Sequence, residues 1–162
     1  MSVERVKSYL AKYRMDGRVM ELALSSATVE LAARALGTQE ARIAKTLSFQ
    51  GPEGPILLVA AGDARIDNGK FKAAFGLKAR MLSPQEVIES VGHAVGGVCP
   101  FAIENPAVKV YLDASLKRFE TVFPACGSGN SAAEMTLSEL ELTSQCAGWV
   151  DACKGWQEES IS

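Results

Sequence analysis

The sequence predicts a single α/β (α+β) domain, in which helices surround a mixed, mostly antiparallel and barrel-like sheet. Its 162 residues suffice for one domain with a real core, and 48% apolar with 22% charged residues is typical of a globular protein. Helix and strand patterns are interleaved along the chain. Many connections are too short to hold crossover helices, which favours antiparallel pairing over a doubly wound parallel fold.

The first third of the chain predicts two helices and two strands. Apolar residues at helical spacing predict a helix over residues 3–14, and VMELAL (19–24) predicts a short strand. ATVELAARALG predicts a second helix that stops at Gly37. A turn or short helix then leads into a strand over Ile43–Gln50.

A hairpin and two further helices are predicted next. GPEGP (51–55) indicates a tight turn before the apolar strand ILLVAAG, so the two flanking strands form a hairpin. DNGKFKAAFG predicts a helix with Asp67 or Asn68 as its cap and Gly76 at its end. After a strand in KARML, SPQE (83–86) predicts a helix start with a capping box and a first-turn proline, and this helix ends at Gly92.

The last third of the chain predicts mainly strands. VKVYLD (108–113) alternates in polarity and predicts a strand, and SELE (138–141) predicts a second capping box. The remaining predictions are a helical turn in ASLKRF, a strand in ETVFPA, a loop in CGSGNS, a strand in AAEMTL and a last strand in AGWVDAC.

Composition narrows the class of function. The cysteines form no C-x-x-C pair and the chain has one histidine, so we expect free buried thiols, no metal and no cofactor. The opening MSVERVKSYL does not have the pattern of a signal peptide, and no apolar run reaches the length of about 20 residues that spans a bilayer. We therefore expect a cytoplasmic protein without membrane contact.

The charge pattern permits at most a local contact with nucleic acid. A net charge of −2 and a pI near 5.5 exclude a protein that coats nucleic acid. Between positions 65 and 80, however, the sequence contains five basic residues and a single acidic residue, Asp67. This segment is either a solvated helix face or a small basic patch; its basic residues are Arg65, Lys70, Lys72, Lys78 and Arg80.

The loop GHAVGGVCPF (92–101) allows two kinds of chemistry. Cys99 and His93 could form a nucleophile and its base, but no third orienting group is evident. Alternatively, Gly96 and Gly97 let a ligand approach main-chain N–H groups, which could form an oxyanion hole. A plain turn would explain the same residues.

Lys45 is a second candidate, because it lies on the apolar side of its predicted strand. A lysine there must find a partner for its ammonium or extend to the sheet edge. It could hold a phosphate or a ribose oxygen. GSGN (127–130) lacks the spacing of a phosphate-binding loop and is by default a turn.

In combination, these residues resemble a known family. RIAKTLSF, ILLVAAGDARIDNGKFKAAFG, GHAVGGVCPF and VYLDASLKRFETVFPACGSGN follow one another in the order found in the YbaK/EbsC family, the editing domains related to the insertion domain of bacterial prolyl-tRNA synthetase. The resemblance covers residues 29–154. Residues 1–28 would supply a helix and a strand of the same domain, and residues 155–162 a tail.

The resemblance implies the YbaK fold and an aminoacyl-tRNA deacylase that hydrolyses mischarged aminoacyl-tRNA in trans. The implied partners are the tRNA 3′ end and an aminoacyl-tRNA synthetase. Lys45 matches the family's lysine and would anchor the tRNA end, while Gly96–Pro100 matches its glycine loop. The implied catalytic residues are Lys45, Gly96, Gly97 and Val98; those that bind substrate are Thr46, Cys99, Pro100, Phe101, Asp113, Gly127, Ser128 and Gly129; those that bind tRNA are Arg65, Lys70 and Lys72.

One departure and two alternatives remain. Where some members carry a serine-containing loop, this chain has Gly127 with Ser128 beside it, so the edited amino acid stays open. The chain could instead be a non-catalytic module that binds tRNA or a synthetase. It could also be a hydrolase that depends on the Cys99 thiol.

Overall fold

The fold is built on a six-stranded mixed sheet that curls into a half-barrel, with five α-helices packed around it. It was examined in a computed structural model, which describes residues 2–157. The α-helices are α1 (Ser2–Ala11), α2 (Val29–Leu36), α3 (Asn68–Phe75), α4 (Pro84–Val91) and α5 (Leu137–Ser144). The strands are β1 (Met20–Glu21), β2 (Ile43–Gln50), β3 (Pro55–Ala61), β4 (Arg65–Ile66), β5 (Lys109–Asp113), β6 (Thr121–Pro124), β7 (Ser131–Ala132), β8 (Met135–Thr136), β9 (Gly148–Val150) and β10 (Cys153–Lys154).

The main sheet has the order β8-β6-β2-β3-β5-β9 and confirms the predicted mixed architecture. Three of its five strand pairings are parallel, namely β2–β6, β3–β5 and β5–β9. The short connections in the sequence had predicted mostly antiparallel pairing, so for this sheet that part of the prediction was wrong. Two small antiparallel pairs, β1–β7 and β10–β4, lie outside it. With these included, four of the seven strand pairings among the described residues are antiparallel.

The β2–β3 hairpin forms the middle of the sheet, as the GPEGP turn predicts. Its register pairs Ala44 with Ala61 at one end and Gln50 with Pro55 at the other. Every residue of β3 after Pro55 is buried, because helices and neighbouring strands cover both faces of this central strand. The continuous apolar run of β3 follows from that double burial.

Helix ends follow the sequence closely. Asp67 caps α3 by accepting a hydrogen bond from Lys70 N–H, and Ser83 and Glu86 form the predicted capping box of α4. The C-terminal glycines of α2, α3 and α4 all adopt the left-handed conformation that favours glycine; they are Gly37, Gly76 and Gly92.

Several element predictions were wrong in detail. KARML (78–82) is not a strand, because it makes one isolated bridge between Met81 and Phe49. The second capping box pairs Thr136 with Glu139, two residues earlier than SELE suggested. The segments VMELAL, AAEMTL and AGWVDAC contain only short strands, and the last of them breaks at residues 151–152. Of the predicted tail 155–162, residues 158–162 lie outside the described residues.

The end of β3 touches the 3-10 helix Glu40–Arg42 at Gly62. A Cβ atom at this glycine would overlap the carbonyl oxygen of Glu40 and contact Val29, although the backbone of Gly62 is not left-handed. Glycine is therefore needed here for close approach rather than for conformational freedom. This contact sets where the chain leaves the sheet, beside the residues that form the candidate site.

We predict that Gly62→Ala destabilises the protein, because the backbone at Glu40 would have to move. A matched control is Gly17→Ala, since an added Cβ there meets nothing within 4 Å. Thermal unfolding should show a clearly lower Tm for Gly62→Ala, by several degrees for a loss of about 1–3 kcal/mol. An unchanged Tm beside an unchanged Gly17→Ala control would contradict the packing argument.

Candidate active site

A cavity of about 450 Å³ opens beside β2 and is the candidate site. Strand β2, the start of α2, the start of α4, the loop around Gly96 and residues near β7 all contribute to its wall. Most of its lining is apolar. Among the lining residues, which all belong to the described range, Lys45 alone carries a charge. The cavity therefore suits a ligand with a small apolar group and one anionic or strongly polar group.

The glycine loop contributes to the cavity through Gly96 and Val98. Gly96 has φ +97°, which favours glycine, whereas Gly97 is not in the left-handed region. Gly97 donates its N–H to Ala94 O at 3.0 Å, closing a turn. Within the described part of the chain, the N–H groups of Gly96 and Val98 donate no hydrogen bond. The candidate main-chain donors are therefore Gly96 and Val98 rather than Gly97.

Gly97 instead joins two loops. A Cβ atom at Gly97 would lie 2.6 Å from Ser128 N and 2.7 Å from the carbonyl carbon of Gly127. The loop 92–101 and the loop 126–130 thus touch backbone to backbone. The predicted residues Gly127 and Ser128, with Gly129 beside them, support the cavity wall from behind and do not line it.

Lys45 lies at the cavity wall, half-buried, as expected for a lysine on the apolar side of a strand. Its ammonium donates to Gly62 O at 3.3 Å and to Ala64 O. Burial lowers the pKa of Lys45 from its ordinary value. Because an ammonium has three N–H donors, one remains for a ligand.

Two hydroxyl groups of the cavity have no hydrogen-bond partner among the described residues. Ser26 Oγ and Thr46 Oγ1 are both buried, and both residues line the cavity. The resemblance had pointed to Thr46, which follows Lys45 on β2. Ser26 was missed, because a serine in the loop sequence SSAT carries no pattern that distinguishes it from an ordinary turn residue.

Cys99 is fully buried and does not line the cavity. Burial raises the pKa of its thiol to about 12, which disfavours the thiolate at pH 7. His93 Nε2 lies 2.7 Å from Phe101 O, which can only accept, so this nitrogen carries the hydrogen. Cys99 Sγ is 3.5 Å from that same Nε2, which therefore has no lone pair to take the thiol proton.

Three further predicted contact residues lie away from the cavity. Phe101 is fully buried and packs against Tyr9, and Pro100 is buried beside a different cavity. The carboxylate of Asp113 is buried and accepts hydrogen bonds from Ser115 N at 2.9 Å and Ala152 N at 2.8 Å. These residues shape the domain around the site.

The predicted tRNA-contacting residues differ in availability. Arg65 and Lys72 are exposed on β4 and α3. Lys70 is engaged within the domain, since its ammonium donates to Asp151 at 3.2 Å and to Cys153 O at 3.1 Å. None of the three lines the cavity.

Residues 2–157 contain no helix with the length and apolar character needed to cross a membrane. The same residues contain no group of three histidine, cysteine, aspartate or glutamate side chains placed to hold a metal ion.

Comparison with known proteins identifies a family and two kinds of relative. Residues 25–142 match the family model described as the aminoacyl-tRNA editing domain. The uncharacterized protein YwhH of Bacillus subtilis (strain 168) is 54% identical over 97% of this chain and all of its own length. Proline–tRNA ligase of Thermosipho melanesiensis is 33% identical over 76% of this chain, which corresponds to 22% of the ligase.

Solved structures share the fold. The crystal structure of a candidate trans-editing enzyme for prolyl tRNA synthetase superimposes with a TM-score of 0.85 at 32% identity, covering 95% of this chain and 98% of the other. The hypothetical protein APE2540 gives a TM-score of 0.76 at 27% identity, over 89% and 99% of the two chains.

We predict that a thiol reagent distinguishes the four cysteines of the folded protein. Iodoacetamide at pH 8 should modify Cys146, which is partly exposed, and leave the three buried cysteines, Cys99, Cys126 and Cys153, unmodified. Peptide mass spectrometry of the native protein, with a urea-unfolded sample as the positive control, measures this. Rapid modification of Cys99 in the native protein would show a reactive thiol and contradict its assignment to the core.

Proposed function

Because this chain belongs to the aminoacyl-tRNA editing domain family, we propose that it is a deacylase that hydrolyses mischarged aminoacyl-tRNA in trans. The observation that carries the proposal is the cavity, whose lining has Lys45 as its one charged residue among those described and includes Gly96 and Val98, whose N–H groups donate no hydrogen bond within residues 2–157. An ester that links a small amino acid to a ribose has the matching groups.

Each part of the substrate has a counterpart at the site. The remaining N–H of the Lys45 ammonium would hold a phosphate or ribose oxygen of the terminal adenosine and so fix the ester in place. The apolar lining would receive the aminoacyl side chain. The cavity of about 450 Å³ would receive the side chain together with part of the ribose, and selection for a small amino acid would come from the fit of that side chain against the cavity wall.

The reaction needs no nucleophilic side chain. The oxygen of a water molecule attacks the ester carbonyl carbon, and the carbonyl electron pair moves onto its oxygen. The N–H groups of Gly96 and Val98 would stabilise this oxyanion, each contributing roughly 10²–10³ in rate by analogy with other oxyanion holes. The intermediate then collapses, the bond to the ribose oxygen breaks, and that oxygen takes the proton lost by the water. The products are the free amino acid and the tRNA.

The contact with tRNA outside the cavity would be small. Arg65 and Lys72 are exposed and could reach phosphates, whereas Lys70 is held by Asp151 and Cys153. A protein with a net charge of −2 and two such contacts should bind uncharged tRNA weakly and in a salt-dependent way. The related proline–tRNA ligases make a synthetase a second candidate partner.

The two alternative functions are less well supported. A hydrolase that depends on Cys99 would need a thiolate and an accessible sulfur, but Cys99 is fully buried and its pKa is about 12. A module that only binds tRNA would not require a cavity lined by Lys45 together with Gly96 and Val98, whose N–H groups donate no hydrogen bond among the described residues. Activity measurements separate all three functions.

We predict that Lys45→Met removes deacylation, while Cys99→Ala keeps it within about tenfold of wild type. Lys45→Met retains the stem of the side chain but deletes the charge that would anchor the substrate. Lys70→Met is the matched control, because Lys70 also donates to a backbone carbonyl but lies outside the cavity. Deacylation rates on a panel of mischarged tRNAs, with circular dichroism of each variant, measure the effect.

The outcomes of that experiment are distinct. Loss of at least about 10²-fold in Lys45→Met alone supports the proposed roles. A fully active Lys45→Met protein would refute the anchoring role, and an inactive but folded Cys99→Ala protein would restore the thiol mechanism. Wild-type protein that binds mischarged tRNA without hydrolysing any of the panel would be a binding module.

We predict that Gly97→Ala lowers deacylation by at least about 10²-fold. The added methyl group would push the glycine loop away from the backbone of Gly127 and Ser128 and so displace the N–H groups of Gly96 and Val98. Uncharged tRNA should bind with little change, since its contacts lie elsewhere. Deacylation rate and tRNA affinity at fixed salt measure this, with Gly17→Ala as the control. A folded Gly97→Ala protein with the wild-type rate would show that the loop is only a turn.

A further inference from the structure

The buried polar groups of this domain are mostly paired, and the exceptions concentrate at one place. Ser115 accepts a hydrogen bond from Ala61 N at 3.1 Å, and Thr143 and Ser144 donate to carbonyls of α5. Among the described residues, the buried side-chain atoms without a partner are Ser26 Oγ, Thr46 Oγ1 and His93 Nδ1. Both hydroxyls belong to residues that line the cavity. Because buried hydroxyls in folded proteins are nearly always paired, these two are candidates for contact with a ligand.

The backbone holds both hydroxyls in place. Ser26 is 8% exposed, and its N–H donates to Gly129 O at 2.6 Å. The following residues begin α2, where Thr28 caps the helix through Leu31 N. Thr46 lies within β2, paired with Val59 of the central strand. Main-chain hydrogen bonds therefore fix both residues, while each hydroxyl oxygen has no partner among the described residues, as in a preorganised binding site.

The chemistry of an aminoacyl ester identifies the group that these hydroxyls would bind. Within the proposed function, Lys45 takes a phosphate or ribose oxygen, and the N–H groups of Gly96 and Val98 take the ester carbonyl. The α-amino group is the polar group left over, and it needs acceptors. No carboxylate is present among the described residues that line the cavity, and Lys45 would repel a second positive charge.

We propose that the hydroxyls of Ser26 and Thr46 accept hydrogen bonds from the α-amino group of the substrate, which the cavity takes up in its uncharged form. This proposal rests on the proposed function and adds the contact that orients the aminoacyl group. It assigns Ser26, in the loop before α2, as a substrate-binding residue. The hydroxyls would thereby favour aminoacyl esters over esters of acids that lack the amine.

The test compares two probes that cannot be hydrolysed. One is 3′-deoxyadenosine with an alanyl group in amide linkage at the 3′ position, and the other carries a propionyl group, which lacks only the α-amine. Alanine stands for the small amino acids of the proposed function. Calorimetry should show that wild-type protein binds the alanyl probe about tenfold more tightly, because only this probe makes the two hydrogen bonds to the hydroxyls.

The variants Ser26→Ala and Thr46→Val then complete a double-mutant cycle between protein and probe. Each should weaken binding of the alanyl probe severalfold and leave the propionyl probe nearly unchanged. Equal loss for both probes would show that the hydroxyls contact another part of the ligand or only shape the cavity, which overturns the proposal. A wild-type protein without preference for the alanyl probe, or without affinity for either probe, overturns it as well.

Thermal unfolding of the ligand-free protein gives a second readout. Since no partner is lost, Ser26→Ala and Thr46→Val should keep or raise the Tm, whereas the matched control Ser115→Ala should lower it by leaving Ala61 N–H unpaired. A large drop in Tm for both cavity variants would assign the hydroxyls to structure and refute the proposal. Deacylation of mischarged tRNA is measured separately. If the protein hydrolyses mischarged tRNA but the variants weaken both probes equally, this proposal alone is refuted. If the protein hydrolyses no member of the panel, the proposed function is refuted.

Discussion

The arrangement of the site depends on how one buried ammonium is held. Lys45 lies on a strand at the middle of the sheet, where a charge needs partners, and the carbonyls of Gly62 and Ala64 supply them. Those carbonyls are within reach because β2 and β3 pair Lys45 with Ala60, so that the turn after β3 comes back beside the lysine. A shift of this register by one residue would move Lys45 to the opposite face of the sheet. The register of the β2–β3 hairpin thus determines where the ammonium of Lys45 lies.

Close backbone contacts complete the cavity. Gly62 lets the end of β3 approach Glu40, and Gly97 lets the glycine loop meet Gly127 and Ser128. Both glycines act through their lack of a side chain, and neither has a left-handed backbone. Among the described residues, the lining that includes Lys45 also holds two residues with unpaired main-chain N–H groups, Gly96 and Val98, and two with unpaired hydroxyls, Ser26 and Thr46. Such a site trades some stability of the ligand-free protein for a prepared binding surface.

The same domain occurs in two contexts among its relatives. In the Bacillus subtilis protein YwhH the similarity spans the whole relative, while in proline–tRNA ligase of Thermosipho melanesiensis it spans about a fifth of the enzyme. The matched family model covers residues 25–142, which contain every residue that lines the cavity. The cavity is therefore built entirely from residues of the matched editing domain, and its elements come from well-separated parts of the chain.

Local patterns in the sequence determined much of this protein. Helix caps, glycine stops and the GPEGP turn act over a few residues, so the helices and the β2–β3 hairpin could be predicted, and the apolar side of β2 singled out Lys45. Contacts between residues that are far apart in the sequence could not be predicted in this way. Only the tertiary structure buried Cys99 beside a histidine that cannot act as its base, because Phe101 O holds the hydrogen of His93 Nε2. It also made Ser26 part of the cavity, since the carbonyl that fixes this loop is on Gly129, more than a hundred residues away.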